Sequence, residues 1–267
     1  MEIGQLSECL DHLPNQGLSL SQVEAIRVSC SLRLLQNQMK SESIYFLGKI
    51  LATHEDYYIA FSTELNKYLP SIYYCSQDAT TWYSLAGIDK ETRNEVIQIQ
   101  APLTGSLISE FTLPSGRIVN EELRLAAIVS DIAEHCLLIP RGYLLHTALD
   151  FVLLNPMWTG IQYDQVKMSD FRYWRQRESD MSLLEKAMSN PALDFLEPVE
   201  DFSEWSFVFS GESDNIQIRS LKWPGFVFNW QNDHFSNMYF GQGIAIPNLT
   251  EFISQRTEHK DAHKNIQ

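Results

Sequence analysis

The sequence predicts an α+β fold, mainly antiparallel sheet with a buried N-terminal helix and two or three further helices. Three observations carry this. A strong hairpin pattern lies at 44–61, near the start of the chain. A run of short aromatic and β-branched segments separated by turn residues closes it, at 205–241. Helical periodicity is confined to segments before and between them.

Within 44–61, Ile44, Phe46, Gly48 and Ile50 alternate with Tyr45, Leu47, Lys49 and Leu51. Both sets are largely apolar, as in a central strand covered on both faces. Residues 53–56 are a polar break of hairpin-loop length, and 57–61 form a second strand. Gly48 inside the first strand predicts a bulge or a close backbone approach.

Before the hairpin, residues 2–13 predict a short helix ended by Pro14. Ser21 and Glu24 fit a capping box, in which a hydroxyl and a carboxylate satisfy free N–H groups reciprocally. The helix that follows carries Val23, Ile26, Cys30 and Leu34 on one face. Ala25, Val28, Leu32, Leu35 and Met39 form an adjoining face. So wide an apolar arc predicts burial between other elements.

After the hairpin, 70–75 predicts a third strand and Trp82 a core anchor. Residues 96–100 and 107–113 have strand-like alternation. Asn120 predicts an N-cap, with Glu121 and Glu122 in the first helical turn and Leu125, Ile128, Val129 and Ile132 at helical spacing. Residues 137–139 form a short buried strand, and 144–154 is expected to continue the sheet. Asp180 predicts the cap of a helix stopped at Asn190-Pro191, and 197–204 is an acidic loop. The closing strands are 205–210, 215–220, 223–230 and 238–241. One domain over 1–253, its helical N-terminal segment about 2–40, and a disordered tail over 254–267 are expected.

The 267 residues are 44% apolar and 12% aromatic, enough for a large core. Net charge is −14, which disfavours nucleic acid and anionic membrane as partners. The four cysteines, at 9, 30, 75 and 136, form no Cys-x-x-Cys pair and are expected as buried free thiols in a reducing compartment. No secretory leader and no bilayer-length apolar run is visible, so the expected place is the cytosol or something attached within it.

The search for chemistry is mostly negative. No helix presents histidines at metal-ligating spacing, although His259 and His263 have that spacing in the tail. No phosphate loop, nucleophile elbow or complete dinucleotide fingerprint occurs. His54 and Asp56 invite an acid–base reading of a hydrolase kind. The alternative is a polar loop whose Asp56 accepts nearby backbone N–H groups, and this is favoured. Phe171-Arg-Tyr-Trp-Arg-Gln-Arg177 interleaves aromatics with arginines, a pattern that can stack on single-stranded nucleic acid such as RNA. On a chain of charge −14, an exposed-edge strand or a contact to an acidic protein surface is favoured. Phe171, Tyr173 and Trp174 are therefore the expected partner contact.

Several segments together resemble the radial spoke head protein 9 family. They are Phe46-Leu-Gly-Lys-Ile-Leu51 with Asp56-Tyr-Tyr-Ile59, Thr81-Trp-Tyr-Ser-Leu85, and Ile139-Pro-Arg-Gly142. Ser182-Leu-Leu-Glu-Lys-Ala187 with Asn190-Pro-Ala-Leu-Asp-Phe195, and Ile218-Arg-Ser-Leu-Lys-Trp-Pro-Gly225, follow in order. The sequence departs from the family at Leu47, where tryptophan is common, and at Ala52, where glycine is common. Residues 146–154 lack the expected Pro/Gly composition, so a diverged paralogue fits. The hairpin and the Trp-Pro-Gly strand also resemble radial spoke head proteins 4 and 6.

The resemblance implies a structural, non-catalytic subunit of the spoke head of motile cilia and flagella. It would occupy the axoneme and pass signals from the central pair to dynein-regulating machinery. The implied partners are spoke-head subunits resembling proteins 4 and 6, with central-pair projections contacted indirectly. No catalytic residue, cofactor or metal is implied, and neither nucleic acid nor membrane is an implied partner. A general interaction scaffold outside the spoke is the other non-enzymatic reading.

Overall fold

A computed structural model describes residues 20–39, 43–113, 115–161, 166–178, 189–210, 215–231 and 234–246. In chain order the elements are α1 (Gln22–Met39), β1 (Ile44–Ile50), β2 (Tyr57–Thr63), β3 (Pro70–Ser76), β4 (Tyr83–Ser84) and α2 (Lys90–Ile97). Then come β5 (Glu110–Thr112), β6 (Ile118–Asn120), α3 (Glu121–Cys136), β7 (Leu138–Pro140), β8 (Leu144–His146) and β9 (Val152–Leu154). The chain closes with β10 (Phe171–Gln176), β11 (Leu196–Pro198), β12 (Trp205–Ser210), β13 (Asn215–Ser220), β14 (Phe226–Gln231) and β15 (His234–Gly241). The helix anticipated after Asp180, the helix over 2–13 and the tail lie outside the described residues. The α+β class holds, with antiparallel pairing dominant.

Two antiparallel meanders make the main sheet, in the order β12-β13-β14-β15-β1-β2-β3-β4. They join through one parallel contact, β1 beside β15, with Gly48 opposite Tyr239. The N-terminal and C-terminal meanders therefore fuse into one eight-stranded sheet with β1 at its centre.

The β1–β2 hairpin is as expected, with a bulge at Gly48. Simple alternation would send Lys49 into the main core. The bulge inserts one residue and resets the parity. Leu47 and Ile50 now face the main core, while Lys49 turns to the α1 side and meets Glu24. Gly48 has φ +143°, a region that side-chain-bearing residues avoid, and a Cβ there would collide with the Tyr239 carbonyl. Close backbone approach and bulge coincide at this one residue.

On the main-core face, α3 packs Leu125, Ile128, Val129, Ile132 and Cys136 against sheet residues that include Tyr57, Ile59, Phe226 and Phe228. Asn120 caps α3 by accepting from the Leu123 amide. A three-stranded sheet, β11-β10-β7, shares that core. On the opposite face α1 packs Val28, Leu32 and Leu35 over Ile44, Phe46, Tyr58, Ala60 and Met238.

Four expectations are corrected. Residues 96–97 end a helix rather than start a strand, because Asp89 caps α2 by accepting from Thr92; α2 then packs Val96 against Ala127 of α3. Residues 144–154 do not continue the sheet but form a separate two-stranded hairpin, β8–β9. The 171–176 strand is no exposed edge: it is the middle strand of its sheet, paired on both sides. Finally, α1 is buried on one side only. Val23, Ile26 and Leu34 are 57%, 64% and 63% exposed, and Cys30 is exposed too.

Candidate functional site

The loop carrying His54 and Asp56 builds no acid–base pair. Asp56 accepts the Ala52 amide at 3.0 Å and pairs with Lys49 at 2.9 Å. His54 is exposed, and its backbone amide donates to the Thr104 carbonyl. The carboxylate thus closes the hairpin and anchors the bulge lysine, as the loop reading favoured.

Lys49 joins this loop to α1. Its ammonium lies 2.9 Å from Glu24, and Tyr58 donates its hydroxyl to the same carboxylate oxygen. Glu24 also closes the capping box, accepting the Ser21 amide while its own amide donates to the Ser21 hydroxyl. Burial alone would raise the Glu24 pKa, but these donors together bring it down to about 2. Burial and the adjoining carboxylate push Tyr58 up to about 12. The cluster ties helix to hairpin and leaves no free base.

Glu121 is the most enclosed carboxylate among the described residues, with no exposed surface. It opens α3 and accepts from the Thr104, Gly105 and Ser106 amides, the Thr104 hydroxyl and the Tyr57 hydroxyl. Burial would raise its pKa, but the hydrogen bonds led by the Thr104 amide and hydroxyl hold it below the usual carboxylate range. The sequence marked Glu121 only as a favourable charge in a first turn. Its contact with the 104–106 loop is tertiary and left no local signal.

Two further charge clusters brace the fold. Arg93 bonds Glu134 and Ser130 and lies near Asp131, which also accepts the Trp223 indole N–H at 3.1 Å. Arg141 grips Asp194 in a two-pronged pair, at 2.5 and 2.7 Å. Each cluster is spent in structural pairing.

A cleft of about 260 Å3 is lined by residues including Glu55, Cys75, Asp78 and Tyr83. Burial pushes the Cys75 thiol up to about 11, which keeps it unreactive near neutrality. Among the described residues, no group of three or more His, Cys, Asp or Glu side chains is placed to hold a metal. Likewise, no described helix is long and apolar enough to cross a membrane.

The expected partner contact is placed inside the protein. Phe171 is 0% exposed and stacks edge-on against Phe228. Trp174 is buried among Tyr45, Phe61 and Phe235, with its N–H bonded to the Tyr68 carbonyl. Tyr173 is half-buried beside Trp205. Phe171 and Trp174 are thus engaged in internal packing, while Tyr173 keeps part of its surface open. Exposed apolar side chains occur on α1 and around β8–β9, where Leu149, Phe151, Leu153, Leu154 and Met157 are all exposed, and also at other positions such as Ile108 and Ile118.

Exposure also separates the cysteines. Cys30 is exposed, contrary to expectation, whereas Cys75 and Cys136 are buried and burial raises both thiol pKa values. In a Cys9→Ser chain, maleimide labelling of the native protein is expected to modify Cys30 alone. Cys75 and Cys136 label only after denaturation, and mass spectrometry of the labelled peptides checks this.

The described residues thus form a two-faced sheet with charge clusters engaged in bracing contacts and several exposed apolar side chains. In comparison with known proteins, residues 1–94 match the family model described as radial spokehead-like protein. More narrowly, the chain is similar to radial spoke head protein 9 homologues. It is 28% identical to the one from Danio rerio over 91% of this chain and 97% of that relative. Against the Bos taurus and Homo sapiens homologues identity is 26%, over 91% of this chain and 96% of each relative. The family resemblance read from the ordered segments is thereby borne out.

Proposed function

We propose that this chain is a structural, non-catalytic subunit of the radial spoke head in the axoneme of motile cilia or flagella. There it supports head assembly and relays central-pair signals toward the dynein-regulating machinery. The observation that carries this reading is similarity to radial spoke head protein 9 homologues over nearly the full length of both partners. The geometry is consistent, since the carboxylates and arginines of the site are engaged in bracing contacts. We propose the residues up to 253 as one folding unit, with 254–267 as a tail. Its partners would be spoke-head subunits resembling radial spoke head proteins 4 and 6.

The test is fractionation of ciliated cells expressing a tagged full-length chain. Co-sedimentation with axonemes, and density for the chain in images of native spoke heads, are the expected results. A tagged chain that stays diffuse in the cell body would overturn the assignment.

A further inference from the structure

Helix α1 is amphipathic twice over. One side seals the sheet through Val28, Leu32 and Leu35. The opposite side carries Val23, Ile26, Cys30 and Leu34, all exposed, at spacings of three, four and four residues. That spacing makes a straight apolar seam of about 16 Å along the helix, at 1.5 Å per residue. A seam of this period accepts the side chains of another helix, whose apolar residues recur at the same interval.

The charges beside the seam choose among helices. Arg27 and Arg33 are exposed on either side of it, and neither engages in an ion pair or side-chain hydrogen bond among the described residues. The single acid of α1 is Glu24, already committed to Lys49, Tyr58 and Ser21 on the sheet side. The outer face of α1 is therefore apolar and wholly basic, on a chain of net charge −14. A second copy pairing through this face would set arginine against arginine. Leu20, just before α1, packs into the sheet-facing cluster.

We infer that the outer face of α1 is a docking site for an amphipathic helix of a different polypeptide, with acidic residues flanking its apolar stripe. The seam supplies burial. Arg27 and Arg33 fix the partner's register and reject basic helices. This goes beyond membership of a spoke head, because it assigns the surface and the chemistry of what it receives.

The test places a photoreactive benzoylphenylalanine at position 26, and separately at 34, in the full-length chain in ciliated cells. After irradiation, the attached peptide is sequenced. The expected product is a segment of another protein with apolar residues at three- and four-residue spacing and Asp or Glu beside them. The double variant Arg27→Glu, Arg33→Glu should lower the cross-link yield more than about tenfold and leave the melting temperature of the purified chain unchanged. Attachment to this chain or a second copy, attachment to a segment without acidic flanks, undiminished yield in the double variant, or no cross-link at either position would each overturn the inference. Fractionation of the same cells keeps the two readings apart. A chain found outside axonemes fails the spoke-head assignment, while the sequence of the attached peptide decides this one.

Discussion

Gly48→Val is expected to abolish stable folding, with a loss of at least about 4 kcal/mol. Two costs combine. The backbone at φ +143° excludes a β-branched residue, and the new Cβ would overlap the Tyr239 carbonyl. Neither atom can give way, since Tyr239 belongs to β15 and is itself 1% exposed. Relief would require β1 and β15 to part, which splits the sheet at its centre. Gly48→Ala keeps both costs and should fail in the same direction, whereas Gly87→Ala, with open space around its Cβ, should be close to neutral. Urea titration followed by circular dichroism measures the difference. A Gly48→Val chain with native stability would show that the β1–β15 pairing is not what holds the two meanders together.

Glu121→Ala should cost about 3 kcal/mol or more, since each buried donor left without an acceptor costs about 1–3 kcal/mol. The loss comes from what is left behind, namely three backbone amides and two hydroxyls deprived of their shared acceptor. The penalty depends on pH with a definite sign. The folded pKa of Glu121 lies below the unfolded value of 4.5. Its stabilisation is therefore complete above that value and is lost as pH falls through the folded pKa. Glu24 acts in the same direction, between 4.5 and about 2. The stability gap between native and Glu121→Ala chains should accordingly narrow from pH 6 to pH 3, read from urea midpoints at each pH. A gap that widened in acid would mean that the neutral carboxyl is the form the loop prefers.

These two residues illustrate what the sequence could and could not reveal. The hairpin, the Ser21–Glu24 capping box, the Asn120 cap and the closing strands follow local rules, and local rules are written in neighbouring residues. Gly48 announced an anomaly, but its partner Tyr239 lies at the far end of the chain. Glu121 announced a helix start, while the loop that encloses it was visible only in three dimensions. Residues 96–100 alternate like a strand, yet the Asp89 cap and packing on α3 prevail. At 171–174 the composition suggests a surface, but Phe171 and Trp174 pack into the core that β10 shares with the main sheet. On α1 the width of the apolar arc predicts burial on both sides, but only half of it meets the sheet. Whether an apolar residue lies inside or outside is decided by the rest of the chain.

The parallel contact of β1 with β15 also has a consequence for synthesis. Residue 48 leaves the ribosome long before residue 239 exists. Through that interval the inner edge of β1 presents unpaired backbone groups beside an apolar strand, an open template for another chain. A transcript cut short before β15 would make that exposure permanent. Such a truncated product is expected to aggregate or be degraded rather than persist as a smaller folded protein.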